Sequence, residues 1–191
     1  MTGLTLVSTG AALPTHAVPN AELSRVRNVD TSDEWIRSRT GIAQRYFCAE
    51  GESAVTLAIA AAKQALGRSG IGPAQIGCCL CATLSGDYAT PSVACLVQAA
   101  LGLAENIPVL DVNAACSGFL YAATVARGLL LAERENGGER KYALVIGVEQ
   151  LSRLLDMADR TTCVLFGDGA GAAVLALAEN APYAAFLGAR G

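Results

Sequence analysis

Cys116 is the residue whose placement most favours covalent chemistry. It falls where a predicted buried strand, residues 109–113, turns through Ala114 and Ala115 into a predicted helix running from Ser117 to about Arg134. A thiol at the head of a helix lies among unpaired N–H groups at the positive end of the dipole, surroundings that suit a nucleophilic thiolate. The order strand, nucleophile, helix also exposes serine in the hydrolase elbow. Gly118 leaves the first turn without a side chain, so the helix can sit close to the sheet. The Cys116 N–H is a candidate donor to a developing oxyanion. The competing reading is one more buried cysteine, because the chain has seven. Cys78, Cys79 and Cys81 lie in an apolar run, and Cys95 and Cys163 also have apolar neighbours. These five read as small buried hydrophobes in a reducing compartment.

Other chemistry is sparse. His16 is the only histidine and sits in a proline-flanked segment, where a surface residue without a role competes with a general base. Cys78, Cys79 and Cys81 are spaced too tightly for a CxxC chelate and have no second cluster, so no metal site is expected. Gly167-Asp168-Gly169-Ala170-Gly171 superficially matches a phosphate loop. It leads into a strand-like segment rather than a helix, so the dinucleotide context fails. A tight turn is the plainer reading, although actin-like ATP-binding folds also place such turns between strands. Arg25, Arg27, Arg37, Arg39 and Arg45 gather around Trp35. Guanidinium groups beside an indole can hold a phosphorylated, adenine-bearing ligand. A solvated face balanced by Asp30, Asp33 and Glu34 is the alternative, and Trp35 fits a core position as well.

The elements that would position these residues alternate between strand and helix. Strands are expected at 4–9, 76–83, 109–113, 142–148, 162–166 and 172–177, with residues 167–171 as the turn joining the last two. A further strand is expected to begin near Ala184. Helices are expected at 20–27, from the capping box Thr31-Ser32-Asp33-Glu34 to Gly41, at 53–69, from Pro91 to about Leu101, and after Cys116. Residues 10–19 and 135–140 read as loops, and 150–160 as irregular. Strand 76–83 is apolar throughout, as in a central strand covered on both faces. The pattern is α/β, a mixed sheet with helices on its faces, in one domain over residues 1–191.

Composition agrees. The chain is 52% hydrophobic and 16% charged, rich in alanine and glycine, and carries a net charge of −3. Wholesale nucleic-acid binding is disfavoured by that charge. No signal peptide and no uninterrupted apolar stretch of membrane-spanning length is read, so a cytoplasmic protein is expected.

Four blocks resemble the β-ketoacyl-acyl-carrier-protein synthase III family in their order. They are Thr31-Ser32-Asp33-Glu34-Trp35-Ile36 with Arg39-Thr40-Gly41-Ile42, Asp111-Val112-Asn113-Ala114-Ala115-Cys116-Ser117-Gly118-Phe119, Asp159-Arg160, and Phe166-Gly167-Asp168-Gly169-Ala170-Gly171-Ala172. The resemblance implies a thiolase-like layered α-β-α-β-α fold, of which this chain holds the N-terminal half with a mixed five-stranded sheet. It implies Cys116 as the nucleophile that takes an acyl group from acyl-CoA. Decarboxylative Claisen condensation with malonyl-acyl carrier protein then follows through an acyl-enzyme. Trp35 and Arg160 match the pair flanking the CoA adenine, Thr31 a residue touching the base, and Arg39 one near the CoA phosphates. Thr90 stands where many members carry a bulky aromatic that reaches across a homodimer into the acyl pocket.

No cofactor is implied beyond the CoA thioester as substrate. The family's catalytic His and Asn lie in HQAN-like and GNTS-like segments that these residues do not contain. The resemblance therefore implies a complementing C-terminal half as partner, with acyl carrier protein and a homodimeric assembly. Thr161 replaces a glycine common after the arginine. A thiolase-fold acyltransferase acting on an alcohol or amine, and a non-catalytic partner subunit, are the other functions this half would fit.

Overall fold

The computed structural model describes residues 2–25 and 29–190. Its centre is a five-stranded mixed sheet in the order β1-β7-β6-β4-β5. The strands are β1 (Thr2–Ala12), β4 (Ile76–Ala82), β5 (Val109–Val112), β6 (Tyr142–Gln150) and β7 (Asp168–Glu179). Strands β4, β5 and β6 run parallel, while β7 is antiparallel to both β6 and β1. The five-stranded mixed sheet expected from the sequence is present.

Alternation along the strands divides the core between the two faces. Cys79, Cys81, Leu144, Ile146 and Val174 face helices α3 (Ala54–Ser69) and α4 (Val93–Leu101). Cys78, Leu80, Val145 and Leu175 face α5 (Gly118–Glu135) through its Ala122, Ala126 and Leu130. The opposite face of α5 leaves Leu120 62% exposed. Together with its lead-in turn, α5 is long and apolar enough to cross a membrane, a length and composition the sequence reading did not anticipate. It instead packs one stripe against the sheet.

A second, smaller cluster lies apart from the sheet. The hairpin β2 (His16–Pro19) with β3 (Gln44–Phe47), helix α1 (Asn20–Arg25) and helix α2 (Asp33–Thr40) enclose Val18, Leu23, Ile36, Phe47, Cys163 and Val164. Residues 10–19, expected as a loop, thus supply the end of β1 and all of β2, and β3 was not anticipated. Pairing between two four-residue segments is too short to show in a hydrophobic period. Part of the expected helix 20–27, with Arg27, lies outside the described residues.

Several boundaries differ for identifiable reasons. Ser32, not Thr31, caps α2: its Oγ accepts the Trp35 N–H at 3.1 Å. Helix α4 begins after Ser92 rather than at Pro91. The Ser92 hydroxyl accepts from Cys95 N, and the Asp111 carboxylate takes the N–H groups of Val93 and Ala94 at 2.8 Å each. Residues 162–165 form turns instead of a strand, because Asp159 accepts from Thr161 N, Thr161 Oγ1 and Thr162 Oγ1. Such local side-chain bonds compete with a ladder. The glycines at 169 and 171 are not a turn but the first residues of β7, paired to Glu149 and Gly147 on one side and, for Gly171, to Ala11 on the other. Residues 184–190 form no strand; Tyr183 Oη donates to Thr124 Oγ1 and Tyr121 Oη to the Gly188 carbonyl, drawing this segment over α5.

Candidate active site

Strand β5 ends at Val112, and the chain turns through a 3-10 segment, Ala115–Ser117, into α5. Ala115 takes φ 46°, a left-handed backbone that costs an alanine about 1 kcal/mol. This sharp turn leaves Cys116 exposed, whereas Cys78, Cys79, Cys81 and Cys163 are buried. Cys95, expected to be buried, is only half-buried, and so is Cys48. Burial raises the thiol pKa of Cys78 to about 12 and lifts Cys79 and Cys81 further. Burial and the neighbouring Asp168 carboxylate push Cys48 up to about 12. The residue singled out by its place in the sequence is thus also the most exposed thiol.

Gly118 allows the close approach that places Cys116 over the sheet. A β-carbon there would stand 3.0 Å from Cβ of Ala82. Cys116 and Phe119 line an open cleft of about 470 Å³, with Ala82 of β4, Gly147 to Glu149 of β6, Gly167, and Asp168 and Gly169 at the start of β7. It lies at the carboxyl ends of parallel strands, where α/β sheets bind ligands.

Carboxylates pin the loops around this cleft. Glu149 accepts from Leu84 N at 3.0 Å, from Ser85 N at 3.1 Å and from Ser85 Oγ in a very short contact. Asp168, only 5% exposed, accepts from Cys48 N and Ser152 N at 2.8 Å and from Ser152 Oγ at 2.6 Å. Neither acid was singled out in the sequence. Their signal would have been a carboxylate inside an otherwise apolar or glycine-rich strand.

The second group of expected residues assembles at the smaller cluster. Trp35 is half-buried against it, and two guanidinium groups lie over its ring. The Arg39 carbon is 4.4 Å and the Arg160 carbon 5.1 Å from the ring centre. Arg160 Nη1 also donates to the Asp30 carbonyl at 2.9 Å. Thr31 Oγ1 is buried and has no hydrogen-bond partner among the described residues. Thr31, Trp35, Arg39 and Arg160, drawn from positions 129 residues apart, therefore share one corner of the fold. Of the other arginines in the sequence cluster, Arg37 pairs with Asp33, and Arg45 is buried within the hairpin. Thr161, at the glycine-substituted position, bonds Asp159 and closes the turn that carries Arg160.

Thr90 is exposed in the loop before α4 and does not line the Cys116 cleft. His16 lies in β2, reaches Glu22 at 3.2 Å and is likewise outside the cleft. Among the described residues no group of three or more metal-ligating side chains forms.

Residues 110–191 match the family model for 3-oxoacyl-[acyl-carrier-protein] synthase III. The chain is 52% identical over 175 residues to the β-ketoacyl-[acyl-carrier-protein] synthase III of Rhizorhabdus wittichii, covering 92% of this chain and 52% of that one. It is 50% identical over 166 residues to the enzyme of that name from Rhodospirillum rubrum, covering 87% and 49% respectively. Among solved structures, 3-oxoacyl-[acyl-carrier-protein] synthase III from Aquifex aeolicus superposes with a TM-score of 0.82 at 43% identity, over 93% of this chain and 55% of that one. The chain spans about half the length of the curated relatives it matches. Its fold is the thiolase-like one that the sequence resemblance implied.

Proposed function

The chain belongs by sequence and fold to the β-ketoacyl-acyl-carrier-protein synthase III family, and from that premise we propose that it is the nucleophile-bearing half of an acyl-CoA-primed condensing enzyme. The observation that carries this reading is the exposed Cys116 thiol, held on a strained turn at the floor of an open cleft. The Cys116 sulfur attacks the thioester carbonyl of acyl-CoA. A new carbon–sulfur bond forms, the old one breaks, and CoA leaves as its thiol. Malonyl-acyl carrier protein then loses carbon dioxide. Its carbanion attacks the acyl-enzyme, releasing a β-ketoacyl thioester and regenerating the Cys116 thiol. Dividing the acyl transfer in this way replaces one difficult step by two easier ones.

Thr31, Trp35, Arg39 and Arg160 hold the nucleotide end of CoA in this reading. The indole supplies a stacking face, the guanidinium groups suit phosphate, and the Thr31 hydroxyl, buried and without a hydrogen-bond partner among the described residues, turns outward to meet the base. Thr90 contributes to the acyl pocket only across a homodimer, which agrees with its position outside the Cys116 cleft. The reaction also needs an imidazole and an amide near the sulfur. The one histidine of these residues, His16, is elsewhere, so a complementing half carrying His and Asn supplies both. The cytoplasm is the compartment that holds these substrates.

Intact mass measurement after exposure to acyl-CoAs of graded length, with the complementing half present, tests the proposal. One acyl adduct on Cys116 is expected, and its length profile reports the pocket. An unmodified Cys116 would remove the enzyme reading in favour of a non-catalytic subunit. Acylation without carbon dioxide release from malonyl-acyl carrier protein would instead indicate transfer to an alcohol or amine.

A further inference from the structure

Arg45 of β3 is 5% exposed, and among the described residues no carboxylate lies within ion-pair distance of it. A buried guanidinium without a counter-ion is costly, so its hydrogen bonds must fix something. Its three acceptors lie on two segments remote in sequence, the junction of β2 with α1 and the turn at Val164. Nη1 donates to the Val18 carbonyl at 3.2 Å, and Nη2 donates to Asn20 Oδ1 at 2.7 Å and to the Val164 carbonyl at 3.0 Å. Asn20, 1% exposed, passes the connection on: its Nδ2 donates to Asp33 Oδ1 at 2.7 Å and to the Ile42 carbonyl at 2.8 Å.

The two ends of this chain of bonds are the two walls of the indole site. Asp33 lies in the first turn of α2, which carries Trp35 and Arg39. Val164 lies in the turn that carries Arg160, folded by Asp159 and closed by the bond from Cys163 N to the Asp159 carbonyl. A separate feature brings that turn onto β3. A β-carbon on Gly167 would stand 3.0 Å from Cβ of Arg45 and 3.1 Å from the Tyr46 carbonyl oxygen, so glycine permits the contact.

We infer that Arg45, through Asn20, is a positioning residue that fixes the helix carrying Trp35 against the turn carrying Arg160, and thereby the site at which the adenine nucleotide of CoA displaces the Arg160 guanidinium from the indole. This rests on the nucleotide-site reading above. The planar fork matters more than the charge, because its two Nη groups reach acceptors on both segments at once, a reach that the compact lysine ammonium lacks.

Trp35 is the only tryptophan in the chain, so its fluorescence reports the site directly. CoA is titrated into the wild-type chain, Arg45→Gln, Arg45→Lys and Asn20→Asp, and the rate of Cys116 alkylation by iodoacetamide is measured in parallel. The wild type quenches saturably. Both Arg45 variants weaken CoA binding at least about tenfold, while alkylation stays within about twofold of wild type. Asn20→Asp keeps an acceptor for Arg45 and pairs its charge, and circular dichroism confirms which of the variants are folded before binding is compared. Asn20→Asp loses the amide donor to Asp33 and also weakens CoA binding. Wild-type affinity in Asn20→Asp or in a folded Arg45 variant overturns the positioning role alone. A parallel loss of binding and of normal Cys116 alkylation also overturns it, by marking a general structural defect. No quenching in the wild-type chain overturns the nucleotide site and the positioning role together.

Discussion

Gly10 of β1 crosses Ala61 of α3 so closely that a β-carbon on the glycine would stand 2.2 Å from the Ala61 carbonyl oxygen and 2.5 Å from the Ala65 nitrogen. Both obstacles are helix backbone and cannot rotate aside. The approach also needs the buried face of α3 to be small there, and it is built from Ala58, Ala61, Ala62 and Ala65. Ser8 on the same strand donates its hydroxyl to the Ala65 carbonyl at 2.7 Å. Gly10→Ala is therefore expected to destabilise the chain by about 3 kcal/mol, at the upper end of ordinary overpacking. The measurement is the denaturant midpoint. A shift below about 0.5 kcal/mol would mean that strand and helix separate at little cost.

The seven thiols should divide sharply in reactivity. Cys116 is exposed, while Cys78, Cys79, Cys81 and Cys163 are buried and their pKa values raised by burial. Cys48, pushed up to about 12, remains protonated at mildly alkaline pH despite partial exposure. At about pH 8 a chromogenic disulfide should show one fast equivalent, which Cys116→Ser removes, a slower one from half-buried Cys95, and the buried thiols only on unfolding. A fast phase that survives Cys116→Ser would assign the accessible thiol to another cysteine.

That distribution shows what was legible in the sequence. Continuous apolar runs and helix stops report burial, so 76–82 and 142–148 could be read as central strands, and Cys116 stood out because it follows a strand and precedes a helix. Where specific side-chain bonds outweigh local propensity, the reading failed. Thr162 to Phe166 has strand-forming residues, yet the Asp159 carboxylate holds the segment in turns. Glycine at 169 and 171 suggested a turn, yet neither adopts a positive φ, and both extend as strand paired to β6, Gly171 also to β1. The gathering of Thr31, Trp35, Arg39 and Arg160 came from family resemblance. Spacing alone could not link residue 35 with residue 160, because the link runs through Arg45 and Asn20, two buried polar residues with no periodic signature.

Strain at Ala115 yields a prediction whose sign is diagnostic. Its φ of 46° is the conformation that glycine adopts at no steric cost. Ala115→Gly should be neutral or should stabilise by up to about 1 kcal/mol, since relief of strain offsets the added freedom of the unfolded chain. At Ala122, buried within α5, the same replacement should destabilise by at least about 1 kcal/mol. Denaturant midpoints of the two variants settle the comparison. Equal destabilisation by both would mean that Ala115 is not held in the left-handed region.

Acid should loosen the smaller cluster and its neighbouring loops first. The Asn20 amide, then Arg37, hold the Asp33 carboxyl below its ordinary value of 3.8. The Ala49 N–H, then Thr15, lower Glu52 from 4.5, and Thr161 with Thr162 lower Asp159 from 3.8. In each case the folded value lies below the unfolded one. The contribution is therefore complete above the unfolded value and is lost as pH falls through the folded value. The urea midpoint should hold as far as these three acids are concerned from about pH 7 to about pH 5, then fall from about pH 4.5 downward. Asp33→Asn should flatten part of that fall, because the asparagine no longer takes up a proton. It should also weaken the tie from Asn20 to α2, so Trp35 fluorescence in this variant at neutral pH should resemble that of the wild type in acid. An acid limb unchanged by Asp33→Asn would place the sensitive carboxylates elsewhere.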